Sequence, residues 1–161
     1  MDLQLFARVF TRDLASLRAE VLAYPDDATL WVVPEGAPNA GGTLVLHLCG
    51  NLRHFIGAGL GASGYVRDRD AEFSTRGTSR AELAALVHIT AAEVTLTLQR
   101  CPHSRLDETL TIGQTTLTVR AGLLHLAAHL AYHLGQLDYH RRIVTGDAQG
   151  VGAMSLGPLI E

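Results

Sequence analysis

Residues 121–144 read AGLLHLAAHLAYHLGQLDYHRRIV, and this run decides the fold. It holds no proline, and Leu124, Leu126, Ala127, Leu130 and Leu134 keep it apolar, so it predicts a helix over about 120–145 that ends at Gly146. Upstream, residues 106–119 change period: Leu110, Ile112, Leu117 and Val119 alternate with polar residues around Gly113, which fits a short β-hairpin or an extended loop. Before that, Ser79 with Glu82 three residues on forms a capping-box signature for a helix that runs to about Arg100 and stops at Cys101-Pro102. Residues 61–78 are polar, charged and glycine-broken and read as a loop. A further helix covers about 42–59, through the almost wholly apolar LVLHLCGN, and residues 25–40 read as a loop that Trp31 tucks against the body. The first helix, about 2–24, carries Leu3, Phe6, Phe10, Leu14, Leu17 and Val21 on one stripe. The glycine-rich tail after 145 is assigned no regular structure. Four amphipathic helices in one chain of 161 residues predict an all-α, four-helix-bundle domain over 1–161.

Composition removes several classes of function. All 13 basic residues are arginine, so no lysine is available for a Schiff base, pyridoxal phosphate or a P-loop. The net charge of −3 and the scattered arginines give no basic face for a phosphate backbone, so no nucleic-acid partner is expected. Cys49 and Cys101 are too few for a disulfide framework and are expected to be reduced. The N-terminus MDLQLFARVF lacks a cationic stretch before an apolar run, and no uninterrupted apolar stretch of bilayer length is evident. A cytoplasmic protein without a membrane partner is the expectation.

Histidines carry the chemistry. His125, His129 and His133 follow one another at four-residue steps, which stacks neighbouring imidazoles about 6 Å apart on one helix face. Either adjacent pair can share a metal ion. A buried imidazole must find a hydrogen-bond partner or a metal, and core histidines satisfied by backbone or by one another remain the alternative. A third ligand has to come from another helix, and His47, inside LVLHLCGN, is the candidate. His54 lies about 10 Å further along that helix, too far for the same ion. Asn51, four residues after His47, is placed to hydrogen-bond a ligand, whereas Cys49 points the other way. His88, His103 and His140 read as surface or helix-end residues, with His140 suiting the helix C-terminal dipole. No Glu-x-x-His pair, HExxH or CxxCH occurs, which removes ferritin-like di-iron, zincin and c-haem sites.

The segments HLCGNLRHFI (47–56) and HLAAHLAYHLGQL (125–137) together resemble the DinB superfamily of metalloenzymes, closest to a branch of unknown function with an Arg-rich loop ending in Glu-Phe, here RDRDAEF at 67–73. The resemblance covers nearly the whole chain in element order. It implies an up-down-down-up bundle, often a homodimer, with a divalent metal (Zn, Ni or Fe) on His47, His129 and His133. His125 is then an extra histidine beside the site. It also implies an activity: some members are similar to transferases in which the metal activates a low-molecular-weight thiol toward a small-molecule electrophile. Hydrolysis, or a dimeric metal-binding stress-response module without catalysis, are the alternatives. Hydrolysis lacks an evident carboxylate base, because the second and fourth helices offer only Asp138. Arg67, Arg69 and Glu72 either line the entrance, the arginines receiving a carboxylate, or form a solvated charged surface, the simpler expectation.

Overall fold

The computed structural model describes residues 2–160. Helix α1 spans Leu3–Ala23, a short α2 Asp27–Leu30, α3 Gly41–Leu52, a short α4 Arg69–Ser74, α5 Arg80–Arg100 and α6 Val119–Thr145. Strands β1 (Thr109–Ile112) and β2 (Thr115–Thr118) lie between α5 and α6.

Every α-helix start except that of α3, whose N-cap is Ala40, follows from a polar side chain that satisfies an otherwise unpaired backbone amide. The Gln4 amide donates to Asp2, the Ala71 amide to Asp68 and the Ala121 amide to Thr118. Ser79 and Glu82 close the capping box of α5 reciprocally. Gly146, with φ +70°, ends α6 in the left-handed conformation that glycine adopts without penalty. Gly113, φ +61°, turns the antiparallel hairpin, which pairs Thr109 with Thr118 and Ile112 with Thr115. The alternating stretch is therefore a hairpin rather than an extended loop.

Contacts between helix ends fix the topology. Near the C-terminal end of α1, Glu20 and Tyr24 meet Arg141 and His140 of α6, so these two helices run parallel. Gly41, which opens α3, packs against Tyr24 and Leu137, and Arg80, which opens α5, donates to the Tyr24 carbonyl. Both α3 and α5 therefore run the opposite way, giving up-down-down-up. Leu14, Leu17, Val21, Leu48, Leu52, Val87, Val94, Leu123 and Leu130, all fully buried, fill the space between. Burial of each such side chain stabilises by roughly 1.5–3 kcal/mol.

Two successive long helices pointing the same way need a connection that returns the length of the bundle. Residues 59–79 supply it and carry α4, which the sequence reading had as irregular. Three further differences concern local structure. Within the loop 25–40, Asp26 caps the short α2 through the Thr29 amide. The helix containing His47 widens after Leu52 into a π-helical turn, Arg53–Ala58, instead of continuing as α. In the tail, residues Gly157–Leu159 form a 3-10 turn. Trp31 does tuck its loop down, donating from Nε1 to the Thr78 carbonyl at 2.9 Å. By length and mean hydropathy α5 could cross a membrane, although Glu82, His88 and Glu93 interrupt its apolar run. In the bundle it packs Leu83, Val87, Val94 and Leu98 into the core.

Candidate metal centre

His47 from α3 and His129 and His133 from α6 converge. One ring nitrogen from each lies within 4.8 Å of the others, so the three could hold a metal ion. Nε2 of His47 and Nε2 of His129 stand 3.3 Å apart. Two nitrogens each about 2.05 Å from one tetrahedral ion are about 3.3 Å apart, so this pair has the spacing of a shared ion. The His133 ring stands edge-on to His129, centroid to centroid at 4.5 Å, and completes the set. His125 stacks on His129 at 6.2 Å and stands outside the cluster. Cys49 is buried away from the cluster, and desolvation pushes its thiol up to about 12. Neither cysteine is in a disulfide.

The outer nitrogens decide which nitrogen faces inward. His47 donates from Nδ1 to Oε2 of Glu72 at 3.0 Å, leaving the Nε2 lone pair on the inner side. His133 donates from Nδ1 to Oε1 of Gln136 at 2.6 Å, with the same consequence. Nδ1 of His129 and Oδ1 of Asn51 are buried without a hydrogen-bond partner. Burial lowers the pKa of His47 against the opposing pull of Glu72. It brings His129 to about 4, helped by the charges of His133 and His47. Both rings are therefore neutral at neutral pH, the form that ligates. Donor types, inward lone pairs and spacing fit a divalent ion.

Glu72 corrects two readings of the sequence. Within the 67–73 segment Asp68, Arg69 and Asp70 are exposed, as a solvated surface requires, but Glu72 is 6% exposed, and Arg67 grips it with Nε to Oε1 at 2.6 Å and Nη2 to Oε2 at 2.8 Å. A carboxylate also stands beside the site, from a connection rather than from α3 or α6. Asn51, expected to bond a ligand imidazole, bonds none. Gly50 makes room for the arrangement, because a Cβ there would land on the Glu72 carboxylate. The signal in the sequence was the Arg-x-x-x-x-Glu spacing of Arg67 and Glu72, which nothing local ties to His47.

His140 is likewise corrected. It is 5% exposed, not a surface helix-end residue. Nε2 donates to the Val32 carbonyl at 2.9 Å, so Nδ1 accepts from the Tyr24 hydroxyl at 2.7 Å. His103 is exposed, as expected, and pairs with Asp2 at 2.6 Å.

An open cleft of about 560 Å³ leads to the histidines. The hairpin turn at Ile112 and Gly113 forms one wall, the widened turn with His54 and Phe55 another, and Arg67 and Arg69 stand at a third. Leu110 and Ile112 seat the hairpin on α6 at Gly122, where a side chain would collide with Leu110.

Fold and site together define a helical bundle with a three-histidine candidate metal centre at the foot of a cleft. The chain belongs to the DUF1572 family, a protein family of unknown function, whose profile matches residues 7–152. No curated protein and no solved structure matches it.

Proposed function

We propose that this protein is a divalent-metal-dependent enzyme of the DinB type, a transferase that joins a low-molecular-weight thiol to a small electrophile. The single observation that carries the reading is the pair of inward Nε2 atoms of His47 and His129 at 3.3 Å, with the outer nitrogen of His47 held by a buried carboxylate. The link to the DinB superfamily rests on the resemblance of residues 47–56 and 125–137. Three neutral imidazoles leave a divalent ion its full charge and an open position, which acidifies a bound thiol or water toward neutral pH. Around it, Glu72 and Gln136 orient His47 and His133, while Phe55 and Ile112 line the approach.

One observation weighs against hydrolysis. Both oxygens of Glu72 are occupied, by Arg67 and by His47, so this carboxylate is not free to take a proton from water. A thiol acidified at the metal needs no such base.

Elemental analysis of the wild type beside His47→Ala, His129→Ala and His133→Ala tests the centre. About one metal per chain is expected in the wild type and none in the variants. Steady-state assays of the loaded protein with several low-molecular-weight thiols against haloarenes and epoxides then test the transfer. Metal bound but no thiol-dependent turnover would reject the transferase reading, and no metal even after reconstitution would reject both.

A further inference from the structure

The cleft is one-sided in charge. Arg67 and Arg69 line it, and among the described residues no aspartate or glutamate does, although the chain as a whole is acidic. The two arginines differ. Arg67 is committed to Glu72 through two nitrogens. Arg69 has no carboxylate partner among the described residues. Its guanidinium lies over the Phe73 ring, 5.0 Å from the centroid, and the same ring packs 5.0 Å from that of His47. The ring contact satisfies none of the guanidinium N–H donors, which can receive a carboxylate in two parallel hydrogen bonds. A site lined by one sign of charge concentrates ligands of the other.

A second observation is independent of charge. Asn51 is 7% exposed and lines the same cleft, and its Oδ1 is buried with no hydrogen-bond partner. An orphaned acceptor costs about 1–3 kcal/mol, which a donor on a ligand would recover.

We infer that the cleft takes a small carboxylate-bearing ligand, its carboxylate received by Arg69 and a hydroxyl or N–H group of the same ligand received by Asn51. The inference deepens the function proposed above, on which it rests for placing the ligand's reacting end at the histidines. The carboxylate belongs either to the thiol or to the electrophile. The cleft volume, about 560 Å³, suits a ligand of that size.

Calorimetric titration of the metal-free protein with succinate, with malate and with uncharged 1,4-butanediol tests it without any turnover. Succinate should bind and butanediol should not. Arg69→Gln should weaken succinate at least tenfold, and Arg69→Lys should restore part of the loss. Malate should bind several-fold tighter than succinate, and Asn51→Ala should abolish that advantage. No succinate binding, or equal binding by wild type and Arg69→Gln, overturns the proposal. Loading with cobalt(II) separates it from the metal reading, because a thiolate bound to cobalt gives a charge-transfer band. No band with thioglycerol, with succinate still dependent on Arg69, rejects the metal reading and keeps the anion subsite. A band with succinate indifferent to Arg69 does the reverse. If mercaptosuccinate binds the cobalt protein tighter than thioglycerol and Arg69→Gln removes the gain, the carboxylate is the thiol's. If it gains nothing while succinate and thioglycerol bind together, the carboxylate is the electrophile's.

Discussion

A carboxylate on the outer nitrogen of an imidazole makes the ring a better ligand and fixes its tautomer, and at His47 that carboxylate is itself held by Arg67. Glu72→Gln keeps an acceptor for Nδ1 but loses the charge and the paired grip of Arg67. It is expected to weaken metal affinity about 10- to 100-fold, measured by competition with a chelator. Unchanged affinity would reduce Glu72 to packing. His140 makes a prediction of the opposite kind, about protons rather than metal. Burial lowers its pKa from the ordinary 6.5, opposed by its bond to Val32. The unfolded chain therefore takes up a proton below pH 6.5 that the folded chain refuses, so stability is full above that pH and falls as the medium is acidified. His140→Gln should make the decline between pH 6.5 and 5 shallower, by at most about 1.4 kcal/mol per pH unit, the value of one proton. Denaturant melts of metal-free protein across that range provide the check, and an unchanged slope would mean His140 is protonated in the fold. The contrast between the two residues explains what the sequence could show. Helical spacing alone made His125, His129 and His133 legible as one face, and the resemblance of residues 125–137 singled out the pair His129 and His133. Glu72 lies 25 positions from His47, and the partners of His140 lie 116 and 108 positions away, so no local pattern joined them.

At the scale of elements, the stretches with their own periodicity and end signals were readable: α1, α5 with its capping box, the hairpin, and α6 with its terminal glycine. What escaped was α4, six residues long and too short to display a period, whose place is set by what it packs on. It is docked against α3 at Gly50. Alanine at that position gains up to about 1 kcal/mol of helix propensity but drives a methyl group into the Glu72 carboxylate, an overpacking cost of about 1–3 kcal/mol. The steric cost wins, so Gly50→Ala is predicted to destabilise the fold and, by displacing Glu72, to weaken metal binding in the same direction as Glu72→Gln. Gly135, in the middle of α6, is the matched control. Nothing lies within 4 Å of a Cβ built there, so Gly135→Ala should stabilise by up to about 1 kcal/mol. Equal effects in the two variants, read from denaturation midpoints, would show that α4 shifts freely and does not position Glu72.

For the whole molecule, the up-down-down-up course sets α3 and α6 side by side and antiparallel, and the three histidines face each other across that seam, well inside the ends of α6. The ends where α1 and α6 meet have their own fastening, the buried pair of Arg141 with Glu20 at 2.5 Å, which uses no histidine. Metal should therefore act as a cross-link between two helices of an already folded bundle rather than as the condition for folding. A ligand present at 100 times its dissociation constant stabilises the state it binds by about 2.7 kcal/mol. For a chain of this length each kcal/mol moves the melting temperature by about 2–4 °C, so loading with zinc should raise it by roughly 5–11 °C. Chelation should reverse the rise and leave a cooperative transition, because the leucine core and the Arg141–Glu20 pair stay in place. His129→Ala should melt near the metal-free temperature and ignore zinc. Collapse of the fold on chelation would make the ion structural, and no shift in the wild type would return the three histidines to the core as ordinary packing groups. A reversible rise lost in His129→Ala would instead leave a bundle that tolerates an open metal position, the condition that thiol chemistry at this site requires.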